Sequence, residues 1–352
     1  MKKKIKISFI GLGRVFEHYL YILKKFKMHK NFVIHSLCDK NVNKIIKYKK
    51  KIQANYFDNL DSFLNFKEKP DYTFILTPSG LHFEHGIKCL KANMNVVIEK
   101  PITMLISQAE KLIALAKKKN KFLGVVFQNR YNKAILKTKE ILSKNKLGKL
   151  STFSVRLIWC RFQEYYNDDW HGKWKSDGGV LNQQAIHHLD AMNWLLGPVK
   201  EVVCSCSNSL NKLQAEDTAV SLIKMKSGLI GTFQATTAAR PKDIMAEISI
   251  YGEKGNITIG GIALNKFVNI DIFENSKKIK INKNKFFDNV KNGYGFSHGN
   301  LLNNLIYKNK KMLVNAIDGL NNVILVHSLY KSNEKKKWIV PSKKNYSQKL
   351  GK

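Results

Sequence analysis

Short apolar runs recur through residues 4–126, and each closes on polar or glycine-rich residues before a stretch of helical periodicity. No other feature constrains the fold as much. Residues 4–10 read as a strand and 15–26 as a helix. A second strand covers 32–38 and closes at Asp39; helices follow over 42–52 and 58–66. A third strand spans 71–77, then a helix 81–92, a strand 95–98, a helix 107–118 and a strand 122–126. Such alternation predicts an α/β fold with a doubly wound parallel sheet, which binds ligands at the carboxyl ends of its strands.

After Phe127 the rhythm changes. A helix over 134–145 leads into a long strand, 150–159, and a loop dense in aromatics and charge fills 160–177. One helix is expected over 178–196. Strands are expected over 199–207, 217–225, 230–237, 244–251, 256–259 and 267–273, then a helical tail over 299–330 and a frayed, lysine-rich end. The expectation is an N-terminal doubly wound domain over 1–126 and a C-terminal α+β domain over 127–352 with a mostly antiparallel sheet.

Composition narrows the function classes. A hydrophobic share of 44% with 11% aromatics is that of a folded chain. No apolar run approaches the roughly 20 residues of a membrane span, and the basic start lacks an apolar signal core, so the cytoplasm is the expected location. The five cysteines are scattered and show no zinc spacing, so no metal is expected. The net charge of +35 is carried almost wholly by lysine, beside abundant asparagine and isoleucine, as an AT-rich coding bias would give. A nucleic-acid binder would concentrate arginine and aromatics in one basic patch, whereas here lysine is spread along the chain.

Gly11-Leu12-Gly13, with Arg14 and Val15, lies between the first strand and helix, where glycine lets a pyrophosphate approach the backbone and the helix N-terminus. Phe16 replaces the third glycine of the usual fingerprint, so an ordinary strand–helix turn would read the same way. Asp39 can accept from both ribose hydroxyls and repel a 2′-phosphate, which favours NAD over NADP. Thr77, Pro78 and His82 close the third strand. Lys100 follows Glu99 at the end of the fourth, before Pro101, where partial burial would make it a usable acid or base. Gln183 and His187 are four apart on the expected helix and share a face, with Asp190 a turn further on. Arg161, Tyr165 and Tyr166 lie in the 160–177 loop; Arg130, Arg156 and Arg161 suit a diphosphate or carboxylate.

The glycine loop, Thr77-Pro78, Glu99-Lys100-Pro101 and the segment 178–190 stand together as in the glucose–fructose oxidoreductase / inositol dehydrogenase (Gfo/Idh/MocA) family, which the chain resembles over nearly its whole length. The resemblance implies an N-terminal Rossmann domain and a C-terminal α+β domain with a large, open, mostly antiparallel sheet, NAD as cofactor, Lys100 and His187 as catalytic residues, and a homodimer or homotetramer. Gln183 stands where many members carry an aspartate, and Asn182-Gln183 is similar to the branch acting on nucleotide sugars, notably UDP-N-acetylglucosaminuronate 3-dehydrogenases. The 161–170 loop, Tyr251-Gly252-Glu253-Lys254-Gly255 and Tyr294-Gly295-Phe296-Ser297-His298 are similar to that branch too. The expected cofactor contacts are Gly11, Gly13, Arg14, Val15, Asp39, Thr77, Pro78, His82, Glu99, Lys100 and Gln128. Those to a UDP-linked sugar are Arg161, Tyr165, Tyr166, Asn182, Gln183 and His187. The expected reaction is oxidation of ring carbon 3, either Lys100 or His187 serving as base. Two further readings are a dehydrogenase of a free sugar or cyclitol, and a non-catalytic nucleotide- or nucleic-acid-binding protein.

Overall fold

The computed structural model describes residues 4–287, 297–307 and 313–352. They form two compact units, Met1–Val126 with His298–Leu320, and Phe127–Ser297 with Asn321–Lys352. The second domain expected over 127–352 is therefore not one continuous stretch, because residues 298–320 pack with the first unit.

The first unit alternates β1 (Ile5–Ile10), α1 (Arg14–Lys25), β2 (Phe32–Cys38), α2 (Val42–Lys49), β3 (Asn55–Phe57), α3 (Leu60–Asn65), β4 (Tyr72–Ile75), α4 (His82–Lys91), β5 (Val96–Ile98), α5 (Ile106–Lys118) and β6 (Leu123–Val125). The sheet runs β3-β2-β1-β4-β5-β6, all parallel. The order reverses between β1 and β4, which opens a crevice at their carboxyl ends. α1 forms because Phe16, Tyr19, Ile22 and Leu23 make one apolar stripe. That stripe packs on β1, with the Phe9 ring 5.2 Å from Phe16 and 5.5 Å from Tyr19. β3 is absent from the sequence reading: Asn55-Tyr56-Phe57 lacks the buried apolar run that marks the equally short β5 and β6.

The second unit contains α6 (Lys133–Ser143), β7 (Leu150–Ile158), α7 (Val180–Gln183), α8 (Ile186–Leu196), β8 (Val199–Ser207), β9 (Thr218–Met225), β10 (Ile230–Thr236), β11 (Met245–Gly252), β12 (Gly255–Gly260), β13 (Lys266–Glu274) and β14 (Lys277–Lys278). Its sheet runs β14-β13-β12-β11-β7-β10-β9-β8, and the pair β7–β10 is parallel in an otherwise antiparallel ladder. Alternation along β7 and β10 buries Phe153, Val155, Leu157, Phe233 and Ala235 on one face, which Ile248 and Ile250 of β11 share.

Three expectations change here. The helix expected over 178–196 is broken into α7 and α8, because the N–H groups of Gln184 and Ala185 both turn back to the Val180 carbonyl. The tail helix is likewise two, α9 (Ser297–Tyr307) and α10 (Ala316–Lys335). The C-terminus is not frayed: Leu350 is buried, the Ser347 N–H donates to His327 Nδ1 at 3.1 Å, and the Gly351 N–H to the Trp174 carbonyl at 2.8 Å. Lysine content signals solvation but not these anchors. Among the described residues, no helix is long and apolar enough to cross a membrane.

Candidate active site

The glycine loop is built for close approach. Gly11 adopts φ +96°, and a Cβ there would lie 2.9 Å from the backbone of Leu76 and Thr77. Gly13 caps α1, and a Cβ on it would meet nothing within 4 Å, so the space before the helix N-terminus is open. Asp39 is buried at the end of β2; its Oδ2 accepts from the Leu12 N–H at 2.7 Å and its Oδ1 from the Asn41 N–H at 2.9 Å. Asp39 is thus held beside the loop, with Lys44 Nζ 3.4 Å from its Oδ2. Arg14 and Val15 are exposed on the first turn of α1. A bare backbone, a helix N-terminus and a fixed carboxylate fit a dinucleotide's pyrophosphate and ribose.

Thr77 and Pro78 are half-buried beyond β4, with Thr77 Oγ1 3.1 Å from His85 Nδ1. His82 departs from the expected cofactor contact. Its ring is buried, with Nδ1 2.7 Å from the Pro101 carbonyl and Nε2 2.8 Å from the Thr77 carbonyl. Both nitrogens face carbonyls of the chain itself, so neither is turned toward a dinucleotide. Two carbonyls call for a ring that donates twice, while burial drives the imidazole down to about 4. At neutral pH the neutral ring donates to one of them. Lys100 is half-buried just beyond β5, whereas the Glu99 carboxyl is turned into the interior, only 7% exposed.

In the second unit, Gly178 and Gly179 have structural work of their own. Gly178 adopts φ +72°. A Cβ on Gly179 would stand 2.1 Å from the Glu216 carbonyl oxygen and 2.2 Å from its Oε2. Glu216 therefore tucks under the start of α7, where its Oε1 accepts from the Leu181 N–H and the Tyr330 hydroxyl, both at 2.9 Å. Burial drives this carboxyl up to about 7. Asn182 is buried and its Nδ2 donates to the Asp177 carbonyl at 2.6 Å. Gln183 is buried at the end of α7, and Gln128 is buried in the turn after Phe127. His187, half-buried in the first turn of α8, meets the Phe127 ring edge-on at 6.0 Å. His188 points elsewhere, fully buried against Trp159.

The three arginines do not act together. Arg130 is 2% exposed and gives two hydrogen bonds to Asp190, at 2.8 and 2.6 Å. It is part of the core, out of reach of a diphosphate. Arg156 pairs with Glu247 across neighbouring strands at 3.3 Å. Arg161 is half-buried, its guanidinium 2.9 Å from Asp243 Oδ1 and stacked over Trp159 and Tyr165. Of the two loop tyrosines, Tyr166 is buried with its hydroxyl 2.7 Å from Thr237 Oγ1, and Tyr165 is the more open. Sequence reading overlooked Glu216 and Asp243, since nothing local marks a carboxylate that becomes important through partners far along the chain. Residues 294–296 of the motif ending at Ser297-His298 lie outside the described residues.

Residues 5–127 match the family model described as oxidoreductase family, NAD-binding Rossmann fold, and residues 135–258 match the GFO/IDH/MocA C-terminal domain. The chain belongs to the Gfo/Idh/MocA family of oxidoreductases. As in that family, the first unit is an NAD-binding Rossmann domain. An uncharacterized oxidoreductase of Synechocystis sp., sll0816, is 27% identical over 228 residues, 61% of each chain, so the match spans less than two thirds of that relative. The myo-inositol 2-dehydrogenase of Thermotoga maritima is 24% identical, over 72% of this chain and 74% of its own. The WlbA dehydrogenase of Bordetella pertussis, solved with NADH and UDP-GlcNAcA, superposes with a TM-score of 0.87 at 26% identity, over 97% of this Gfo/Idh/MocA chain and 98% of its own.

Proposed function

We propose that this family member oxidises a hydroxyl of an acidic nucleotide sugar, ring carbon 3 of a UDP-linked N-acetylhexosaminuronate, in the supply of sugars for surface polysaccharide. The observation that carries this reading is the similarity to WlbA along 97% of the chain, in a protein crystallised with NADH and UDP-GlcNAcA. NAD, when bound, supplies the hydride acceptor. Gly11 to Val15 would cradle its pyrophosphate and Asp39 its ribose, with Thr77, Pro78 and Gln128 alongside. Lys100, from the end of β5, and His187, from the start of α8, divide the proton work: one accepts the hydroxyl proton and the other hydrogen-bonds the same oxygen. Gln183, Asn182 and Tyr165 would meet the sugar, and Arg161 its anionic group. Because Asp243 already neutralises Arg161, an anion there would share the guanidinium with that carboxylate.

The test is appearance of the reduced-nicotinamide band on adding NAD with UDP-N-acetylglucosaminuronate, beside UDP-N-acetylglucosamine, free glucose and inositol. Reduction with the acidic nucleotide sugar alone is expected. Lys100→Ala and His187→Ala should each lower turnover by about 10²–10⁴-fold, roughly 3–5 kcal/mol of barrier. Full turnover in both variants would sink the assignment. The likeness to the Thermotoga inositol dehydrogenase favours a second reading, oxidation of a free cyclitol, which reduction with inositol alone would establish.

A further inference from the structure

Behind Lys100 lies a group of ionisable side chains for which the proposed reaction has no use. The Glu99 carboxyl is buried; its Oε2 faces the Lys100 backbone N–H at 3.4 Å, and its Oε1 stands 4.0 Å from Nε2 of His298 on α9. His298 is 4% exposed and meets two side chains of α1 edge-on, His18 at 4.7 Å and Tyr19 at 5.2 Å. Among the described residues, Lys100, His298 and Tyr19 are the titratable groups at this carboxyl, with His18 behind His298 and His82 beyond Lys100 at the Pro101 carbonyl.

Burial sorts these groups by charge. It pushes His298 well below its ordinary value and His18 down to about 4, so both imidazoles are neutral at neutral pH. It pushes Glu99 up to about 7, against the Lys100 charge and the Lys100 N–H that faces the carboxyl. Glu99 is then the member whose charge changes near neutrality, one residue from the lysine of the proposed reaction.

We propose that Glu99, buried between Lys100 and His298, is a positioning residue that sets the proton held at Lys100 Nζ. A carboxylate at Glu99 keeps the ammonium; a neutral carboxyl releases the amine more readily. His298 tunes this by bringing an uncharged ring to the other carboxyl oxygen. The proposal rests on the functional reading for its catalytic consequence, but not for its proton chemistry. The sign follows from the direction of the Glu99 shift. Below neutrality the carboxyl is protonated and Lys100 lacks its anion; as pH rises through about 7 the anion appears and holds the ammonium.

The experiment needs no substrate. An amine-specific reagent attacks only the neutral lysine, so site-resolved mass spectrometry of reductively methylated protein reads the free amine at Lys100 across pH 6–9. In Glu99→Gln, which keeps the shape and removes the charge, Lys100 should label about tenfold faster than wild type at pH 8, with exposed lysines such as Lys117 unchanged. His298→Gln should move the midpoint of the labelling curve without abolishing the step, and it decides the matter if Glu99→Gln does not fold. Turnover against pH gives the second readout: Glu99→Gln should lose the inflection near neutrality that wild type shows. Equal Lys100 labelling in wild type and both variants overturns the proposal, whatever the turnover. Altered labelling without turnover on any nucleotide sugar upholds it and instead overturns the functional reading.

Discussion

Two glycines of similar appearance are asked for opposite reasons. At Gly13 a methyl group would enter open space, with nothing within 4 Å. At Gly179 it would land 2.1 Å from the Glu216 carbonyl oxygen, a backbone atom that cannot rotate away. Gly179→Ala should therefore cost stability, about 1–3 kcal/mol as overpacking, and more if Glu216 loses its bonds to Leu181 and Tyr330. Gly13→Ala should leave the denaturation midpoint almost unchanged. It should weaken NAD at least about tenfold, about 1.4 kcal/mol, because the methyl fills the space a pyrophosphate would take. Urea melts and NAD titration calorimetry on the two variants separate the cases. An unweakened Gly13→Ala would remove the glycine loop from the cofactor site.

Three elements of the second unit meet at one buried ion pair. Arg130, in the turn before α6, reaches Asp190 on α8, and the Asn322 amide on α10 donates to the same carboxylate at 2.7 Å. Neither charge sees water, with side-chain exposures of 2% and 0%. Removing one partner strands the other in the core, so Asp190→Asn should cost about 3–5 kcal/mol, while replacing both, as in Arg130→Met with Asp190→Leu, should recover much of that. Denaturant melts of the singles and the double close the cycle; additive losses would argue against coupling. This pair also shows where sequence reading stops. The strands and helices of the parallel sheet were legible because buried apolar runs and amphipathic stripes repeat over many residues. Glu99-Lys100-Pro101 and Gly178-Gly179 were legible as local strings. Arg130 and Asp190 lie 60 residues apart, and only the packed fold turns an apparent anion binder into a core residue. The break between α7 and α8 was hidden because helical periodicity runs across it, and β3 because Asn55-Tyr56-Phe57 is only partly buried and makes no apolar run.

At the scale of the molecule, one face of the antiparallel sheet and the charge of the whole chain make opposing demands. Val220 and Leu222 on β9 are 49% and 51% exposed, next to Val203 on β8 and to Thr232 and Gln234 on β10. An apolar stripe with a polar margin of this kind suits a second copy of the same face, and we propose self-association there. The net charge of +35 acts against it, since two copies repel at any separation shorter than the screening length, about 8 Å at physiological salt. Ion pairs would weaken as salt is added. An apolar contact between two strongly cationic chains should instead tighten, because salt screens the repulsion and leaves the burial term intact. Sedimentation across rising sodium chloride should therefore show growing dimer or tetramer. Leu222→Asp should give monomer throughout, with the fold intact by circular dichroism because the position faces outward. Wild-type protein that stays monomeric at micromolar concentration in high salt would reject the interface. An assembly that dissociates as salt rises would place the contact on the charged surface instead.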